Sequence, residues 1–287
     1  MRSLYPLFTY LVVLALVCNF YSLARKQPLI ILGTLAILLL PGCVVYMPMQ
    51  CAAPQITAKN QSEVTVSSYL NGRFDIAGTY SPLRHLLVRA TYSGLSADTV
   101  RKNEYYCGEQ YDLGVGTYWY LGDKWLVGAL GGFGRAQTQT AYTSGGFLSR
   151  VTQSRFDLHY HKQFGEIYGI FQSSNFFSAG AACRVTSLNF SDLTYNKNPV
   201  ELSNMTRIEP MGFVRFRVGK GPFENRAVQF QVAMGSSNTA GYNQNDRSVI
   251  LPDGVYALKQ SRYYTTIGVT LFPHCLFRKP QPNSGSN

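Results

Sequence analysis

Charge is scarce in this sequence. Asp, Glu, Lys and Arg together make up 14% of it, against about 25% in an ordinary soluble domain. The charge present is unbalanced, at a net +11. Such an excess suits nucleic acid or an anionic membrane surface. The lysines and arginines are dispersed, with no run longer than two, and no nucleic-acid-binding motif accompanies them, so no nucleic-acid partner is expected. No Cys-x-x-Cys occurs among the six cysteines and no Cys/His cluster has zinc spacing, so neither a metal nor a cofactor is expected. The glycines around Gly131 (GGFGRA) lack the strand-to-helix setting of a phosphate loop. They read instead as room for close packing inside a sheet.

Aromatic residues and glycine are plentiful, with 20 Tyr, 17 Phe and 26 Gly, the mixture expected of strands, tight turns and surfaces with one wet and one apolar side. The N-terminus holds two apolar runs, Leu4 to Ala24 and Pro28 to Leu40, separated by Arg25 and Lys26. The second has the plan of a secretory signal, with a basic start and an apolar centre. It stops at Pro41-Gly42-Cys43. The first is long enough to span a bilayer, but an outward span would leave Arg25 and Lys26 outside, against the positive-inside tendency. Translation beginning near Arg25 removes the conflict; a long signal or a true anchor are the other readings.

Beyond a polar linker, Gln50 to Gln61, apolar and polar residues alternate with the period of a strand. Phe74, Ile76 and Tyr80 oppose Asp75, Ala77 and Thr79. Val88, Ala90 and Tyr92 oppose Leu87, Arg89 and Thr91. Val214, Phe216 and Val218 oppose Arg215 and Arg217, and Val228, Phe230, Val232 and Met234 oppose Gln229, Gln231 and Ala233. Asn71-Gly72 is a strong hairpin turn. Short turns at Ser81, Leu121, Ser173 and Lys220 alternate with longer polar stretches at 94–103, 141–153, 192–205 and 236–259. This is the habit of outer-membrane barrels. The fold class is therefore all-β, an antiparallel up-and-down transmembrane β-barrel of about ten strands, at 62–70, 73–80, 85–93, 104–119, 125–140, 154–172, 176–191, 206–219, 226–236 and 260–272. An even count sets both ends of the barrel on the side of the short turns, the periplasm. One strand resists this scheme: Lys162 and Glu166 share a face with Phe164, Tyr168 and Ile170. A bulge at Gly165, or a part of the strand standing above the membrane, would account for it.

Leu40-Pro41-Gly42-Cys43 resembles the lipobox of bacterial lipoproteins, with Pro41 departing from the usual small residue. Together with the Tyr-Met-Pro that follows, "NGRFDIAGTYSPLRHLLVRATYS" and the final "YYTTIGVTLF", it is similar to the Bacteroidota-type outer-membrane β-barrel lipoproteins. The specific likeness covers roughly Cys43 to Ser93. It implies an envelope protein with lipid on Cys43 and brings no catalytic residues with it. The expected organisation is a signal or apolar N-terminal part at 1–42, a lipidated linker at 43–61, the barrel at 62–273 and a polar tail at 274–287. The expected location is the bacterial outer membrane, with the palmitate-bearing N-terminus in the periplasmic leaflet. If Cys18 is removed and Cys43 acylated, four cysteines remain; a Cys51–Cys275 disulfide and no disulfide at all are both compatible with the sequence.

Asp75, Arg89, Glu209, Arg215 and Arg217 are the expected polar lining of the interior, with Asp75 and Glu209 as acidic partners of the two arginines. Asp157, His159 and His161 alternate on one strand face with Ser154 nearby, a set that could serve hydrolysis or a metal if a third partner joined it. No motif supplies that partner, and no catalytic residue is assigned. The leading expectation is a non-enzymatic barrel in contact with the bilayer, meeting envelope proteins or small ligands through its outer loops. The alternatives are a membrane-embedded hydrolase or acyltransferase using Asp157 and His159, and a lipid-tethered soluble barrel holding an apolar ligand against Phe74, Ile76 and Val228.

Overall fold

The computed structural model describes residues 45–99, 104–144, 152–218, 227–242 and 253–276. Cys43, the apolar runs before it, the turn from Lys220 and the tail beyond 276 lie outside the described residues. The strands are β1 Ser62–Tyr69, β2 Phe74–Tyr80, β3 Leu87–Thr99, β4 Glu104–Leu121, β5 Trp125–Ser144, β6 Thr152–Gln172, β7 Phe177–Tyr195, the two-residue β8 Asn198–Pro199, β9 Asn204–Val218, β10 Val228–Thr239 and β11 Arg262–Leu271. Helix α1 spans Asp253–Lys259 and α2 spans Pro273–Leu276. All sequential pairs are antiparallel, β1 closes on β11, and β8 only folds back onto β7. The result is a closed ten-stranded barrel. Closure leaves no unpaired sheet edge, which is what lets a β structure cross a membrane.

At one end lie short connections, including the three-residue turn after Leu121 with Gly122 at φ 65°, and both ends of the barrel chain. The Asn71-Gly72 hairpin, with Gly72 at φ 87°, lies at the other end. So does the Asn196-Lys197 turn, whose two positive φ values give the twist that a two-residue hairpin needs. Strands β4 to β7 run well past β1 and β2 on this side. Much of what composition marks as loop (94–99, 141–144, 192–195) is in fact strand, because a strand that is polar on its outer face looks like a loop. Helix α1, inside an expected loop, caps the same end.

The wall faces two ways at two heights. In the lower part Ile76, Val88, Leu113, Val115, Ile167 and Val214 point outward, while Asp75, Asp112, Glu166, Arg184 and Arg215 point in and are buried. Phe74, Ile76 and Val228 belong to this outer face by register. On β4, Tyr111 is the last apolar outward residue before Glu109, and Trp119 and Leu121 mark the other margin. The ten steps from Tyr111 to Leu121, at about 3.3 Å each and a tilt of about 40°, give about 25 Å, the height of the apolar band on an outer-membrane barrel. Above that band the polarity inverts. Phe156, Leu158, Tyr160 and Leu188 point inward and are buried, and Arg155, Asp157 and His159 point out.

This inversion explains β6. Register is continuous through Gly165 on both sides, and the irregularity falls at His159/Tyr160. No bulge at Gly165 is needed. Phe156 to Tyr160 form the core of a part standing above the band, and Lys162 to Ile170 line the lumen within it. Part of the strand does stand above the band, but Lys162 and Glu166 lie within it; they share a face with Phe164, Tyr168 and Ile170 because that whole face points into the lumen.

Candidate functional site

The interior is occupied by the protein's own N-terminal segment. All twelve residues from Val45 to Ile56 are buried, and Thr57 is exposed again at the short-turn end. Extended at roughly 3.3 Å per residue, the segment reaches about 40 Å, enough to run the length of the barrel. Pro48 and Pro54 favour an extended path and bar helix. The segment read as a linker is an extended plug inside the barrel over Val45 to Ile56. A backbone buried in this way needs its polar groups satisfied, and the wall supplies partners in order of height.

At the top, Val45 and Tyr46 pack into the upper apolar cluster with Phe156, Leu158, Leu193, Met205 and Leu258. Tyr46 donates its hydroxyl to Glu209 at 2.9 Å; Thr186 and Ser237 donate to the same carboxylate, each at 2.9 Å. Arg207, fully buried, lies 4.9 Å from the Tyr46 ring centre. It donates to Thr239 Oγ1, to the Ser237 carbonyl and to the carbonyls of Leu258 and Gln260, tying the α1 region to the wall.

In the middle the plug meets two neutral ionic groups. Arg73 pairs with Asp75 at 3.1 Å and donates to the Pro48 carbonyl at 2.8 Å, and Asp75 accepts the Gln50 amide at 3.1 Å. Across the lumen Lys162 pairs with Asp112 at 2.7 Å, Asp112 with Arg184 at 3.1 Å and Arg184 with Glu166 at 2.8 Å. Gln110 donates to the Met47 carbonyl and accepts from Lys162. All four charged side chains of the second group are at most 4% exposed. Gly134 makes room for it, since a Cβ there would overlap the Asp112 carboxylate and press on Lys162. This is the close packing that the GGFGRA glycines suggested.

Lower down, Cys51, Ala52, Ala53 and Ile56 pack against Leu126, Leu130, Tyr168, Ile170 and Phe213. Glu63 accepts the Gln55 amide at 2.9 Å, and Gln229 donates to the Gln55 side chain at 2.8 Å. A cavity of about 20 Å³, bordered by Gln50, Cys51, Glu63, Asp75, Arg89 and Arg215, has room for about one water.

The five interior residues named from sequence all lie on this wall, but their partners differ. Asp75 pairs with Arg73, and Glu209 is held by three hydroxyls. Arg215 donates to Gln231 and lies over the Phe213 ring at 4.2 Å. Arg217 donates to Gln55 and lies 4.1 Å from the Phe272 ring centre. Arg89 donates to Thr79 at 3.0 Å. The sequence reading missed Arg73, Asp112, Arg184 and Arg207, whose inward parity was a usable signal, and it set Lys162 and Glu166 on an apolar face that is in fact the lumen face; who meets whom depends on register across the lumen.

Asp157 and His159 face outward on β6, 3.6 Å apart and about one-third exposed, with Gln139 donating to Asp157. His161 accepts from Arg135. Ser154 is on the opposite face, buried and bonded to Tyr195. A strand lies between the hydroxyl and the Asp/His pair, so these residues do not assemble a hydrolytic site. Among the described residues no group of three metal-binding side chains occurs. Cys51, Cys107, Cys183 and Cys275 are free thiols, so the Cys51–Cys275 pairing is not made.

No protein-family model matches the sequence, and no curated protein does. Among solved structures, the N-terminal β-barrel domain of Pseudomonas aeruginosa OprF is similar at 9% identity and TM-score 0.29, over 75% of this chain and 99% of that one. The outer-membrane protease OmpT of Escherichia coli is similar at 9% identity and TM-score 0.37, over 75% and 94%. The translocator domain of Neisseria meningitidis autotransporter NalP is similar at 8% identity and TM-score 0.39, over 74% and 86%.

Proposed function

We propose that this is a bacterial outer-membrane barrel lipoprotein that does not conduct, is not an enzyme, and displays a rigid, capped rim on the cell exterior for contact with envelope components or small ligands. The observation that carries this reading is the filled lumen. Twelve residues of the chain's own N-terminal segment occupy it, gripped through two neutral ionic groups. A tethered soluble barrel with an apolar pocket would need Phe74, Ile76 and Val228 inside, on the face opposite to theirs.

Protein purified from outer membranes and placed in a planar bilayer is expected to give no stepwise conductance. Discrete, voltage-reproducible steps would contradict the reading. Lipid on Cys43 is the second part of the proposal, motivated by the apolar run ending at Leu-Pro-Gly-Cys. Cells fed labelled palmitate are expected to label the protein and to lose that label in Cys43→Ser; undiminished labelling of the variant would refute the lipid.

A further inference from the structure

The path of the plug fixes which side of the membrane its upstream end is on. Gln55 meets Glu63 and Gln229 at the short-turn end, Gln50 and Met49 meet Asp75 and Lys162 at mid-height, and Tyr46 meets Glu209 and Tyr160 above them. Val45 packs with Phe156, Leu193 and Leu258, in the part where the wall's polarity has inverted and α1 forms the cap. The segment therefore runs one way through the barrel and ends opposite the end where β1 begins. Position 43 is two peptide units upstream of Val45, so covalent geometry holds their Cα atoms within about 8 Å. The lumen path below Val45 is about 40 Å long when extended. Position 43 cannot return to the short-turn side.

We propose that the N-terminal end of the plug faces the cell exterior, so that a lipid on Cys43 is carried on the outer side of the membrane and not in the periplasmic leaflet. The lipid part rests on the lipoprotein reading above; the direction of the plug does not.

The test uses intact cells and an impermeant probe. A short epitope is inserted between Cys43 and Val44 in the full chain, and folding is checked by heat-modifiable mobility in gel electrophoresis. Antibody is expected to bind intact cells. Binding only after the outer membrane is permeabilised would overturn the proposal. If the insertion blocks folding, Val44→Cys in a chain carrying Cys107→Ser, Cys183→Ser and Cys275→Ser is read with an impermeant maleimide instead. Two wild-type thiols calibrate that reading. Cys107, exposed on the outer wall of β4, should label on intact cells, and Cys275 in α2 only after permeabilisation. A thiol at position 44 that follows the Cys275 pattern, or stays unreactive in both conditions, overturns the proposal. The chain carrying Cys107→Ser, Cys183→Ser and Cys275→Ser but keeping Val44, in which Cys43 is the native thiol under test, separates the two ideas. Maleimide labelling at Cys43, with no palmitate incorporated, refutes the lipid while the side on which it labels still decides the direction.

Discussion

Replacing Arg184 by methionine is expected to destabilise the barrel by about 3–5 kcal/mol, the usual cost of removing one partner from a buried ionic group. Arg184 bridges Asp112 and Glu166. Without it Asp112 keeps Lys162, but Glu166 becomes an unbalanced buried carboxylate. The double variant Arg184→Met with Glu166→Gln leaves a neutral Lys162–Asp112 pair and should regain most of the loss. Urea unfolding in lipid vesicles, followed by the fluorescence of Trp119 and Trp125, gives both numbers and their coupling. A single variant losing less than about 1 kcal/mol, or costs that simply add, would mean that the group is solvated and the lumen wet.

Val115→Arg is expected to cost about 2–4 kcal/mol, and Leu121→Arg only about 0–1 kcal/mol, in the same assay. Both side chains point outward and are more than half exposed, at 61% and 58%. Val115 lies midway between Tyr111 and Trp119, and Leu121 at the margin of the band beside the turn. On a water-soluble wall the two substitutions would cost alike and little. Only hydrocarbon at mid-height makes the first expensive, so the depth dependence tests the membrane span.

The ten strands were legible because alternation is dictated by having two different solvents on the two faces of a thin wall. The sequence ranges agree with the observed strands to within a few residues at most ends. They fall short on β3, β5 and β7, and the upper parts of β5 and β7 carry polar outward residues. The rule that the apolar face meets lipid holds only inside the band; in the cup above it the outer solvent is water and the core is inside. Phe156 to Ile170 crosses that boundary within one strand and keeps one inward face throughout, but that face is apolar above the band and mixed within it, so the rule of apolar residues outward could not read it. The plug was not legible at all. Val45 to Ile56 has no periodicity, contains two prolines and reads as a linker, because what makes it structure is a set of side chains on the barrel wall (Asp75, Glu63, Gln110, Arg73) reaching it across the lumen. Three interior arginines, Arg89, Arg215 and Arg217, were found by parity, yet their partners were not, since pairing across a lumen follows the stagger of strands and not sequence distance.

Amide exchange across Val45–Ile56, measured by mass spectrometry on the protein in lipid vesicles, tests the filled lumen most directly. The segment is buried throughout, and the Gln50 and Gln55 amides are bonded to Asp75 and Glu63. It is therefore expected to exchange as slowly as the barrel strands, with protection lost only when the barrel unfolds. Exchange at the rate of an unstructured chain while the strands stay protected would place the segment outside the barrel and leave the lumen open.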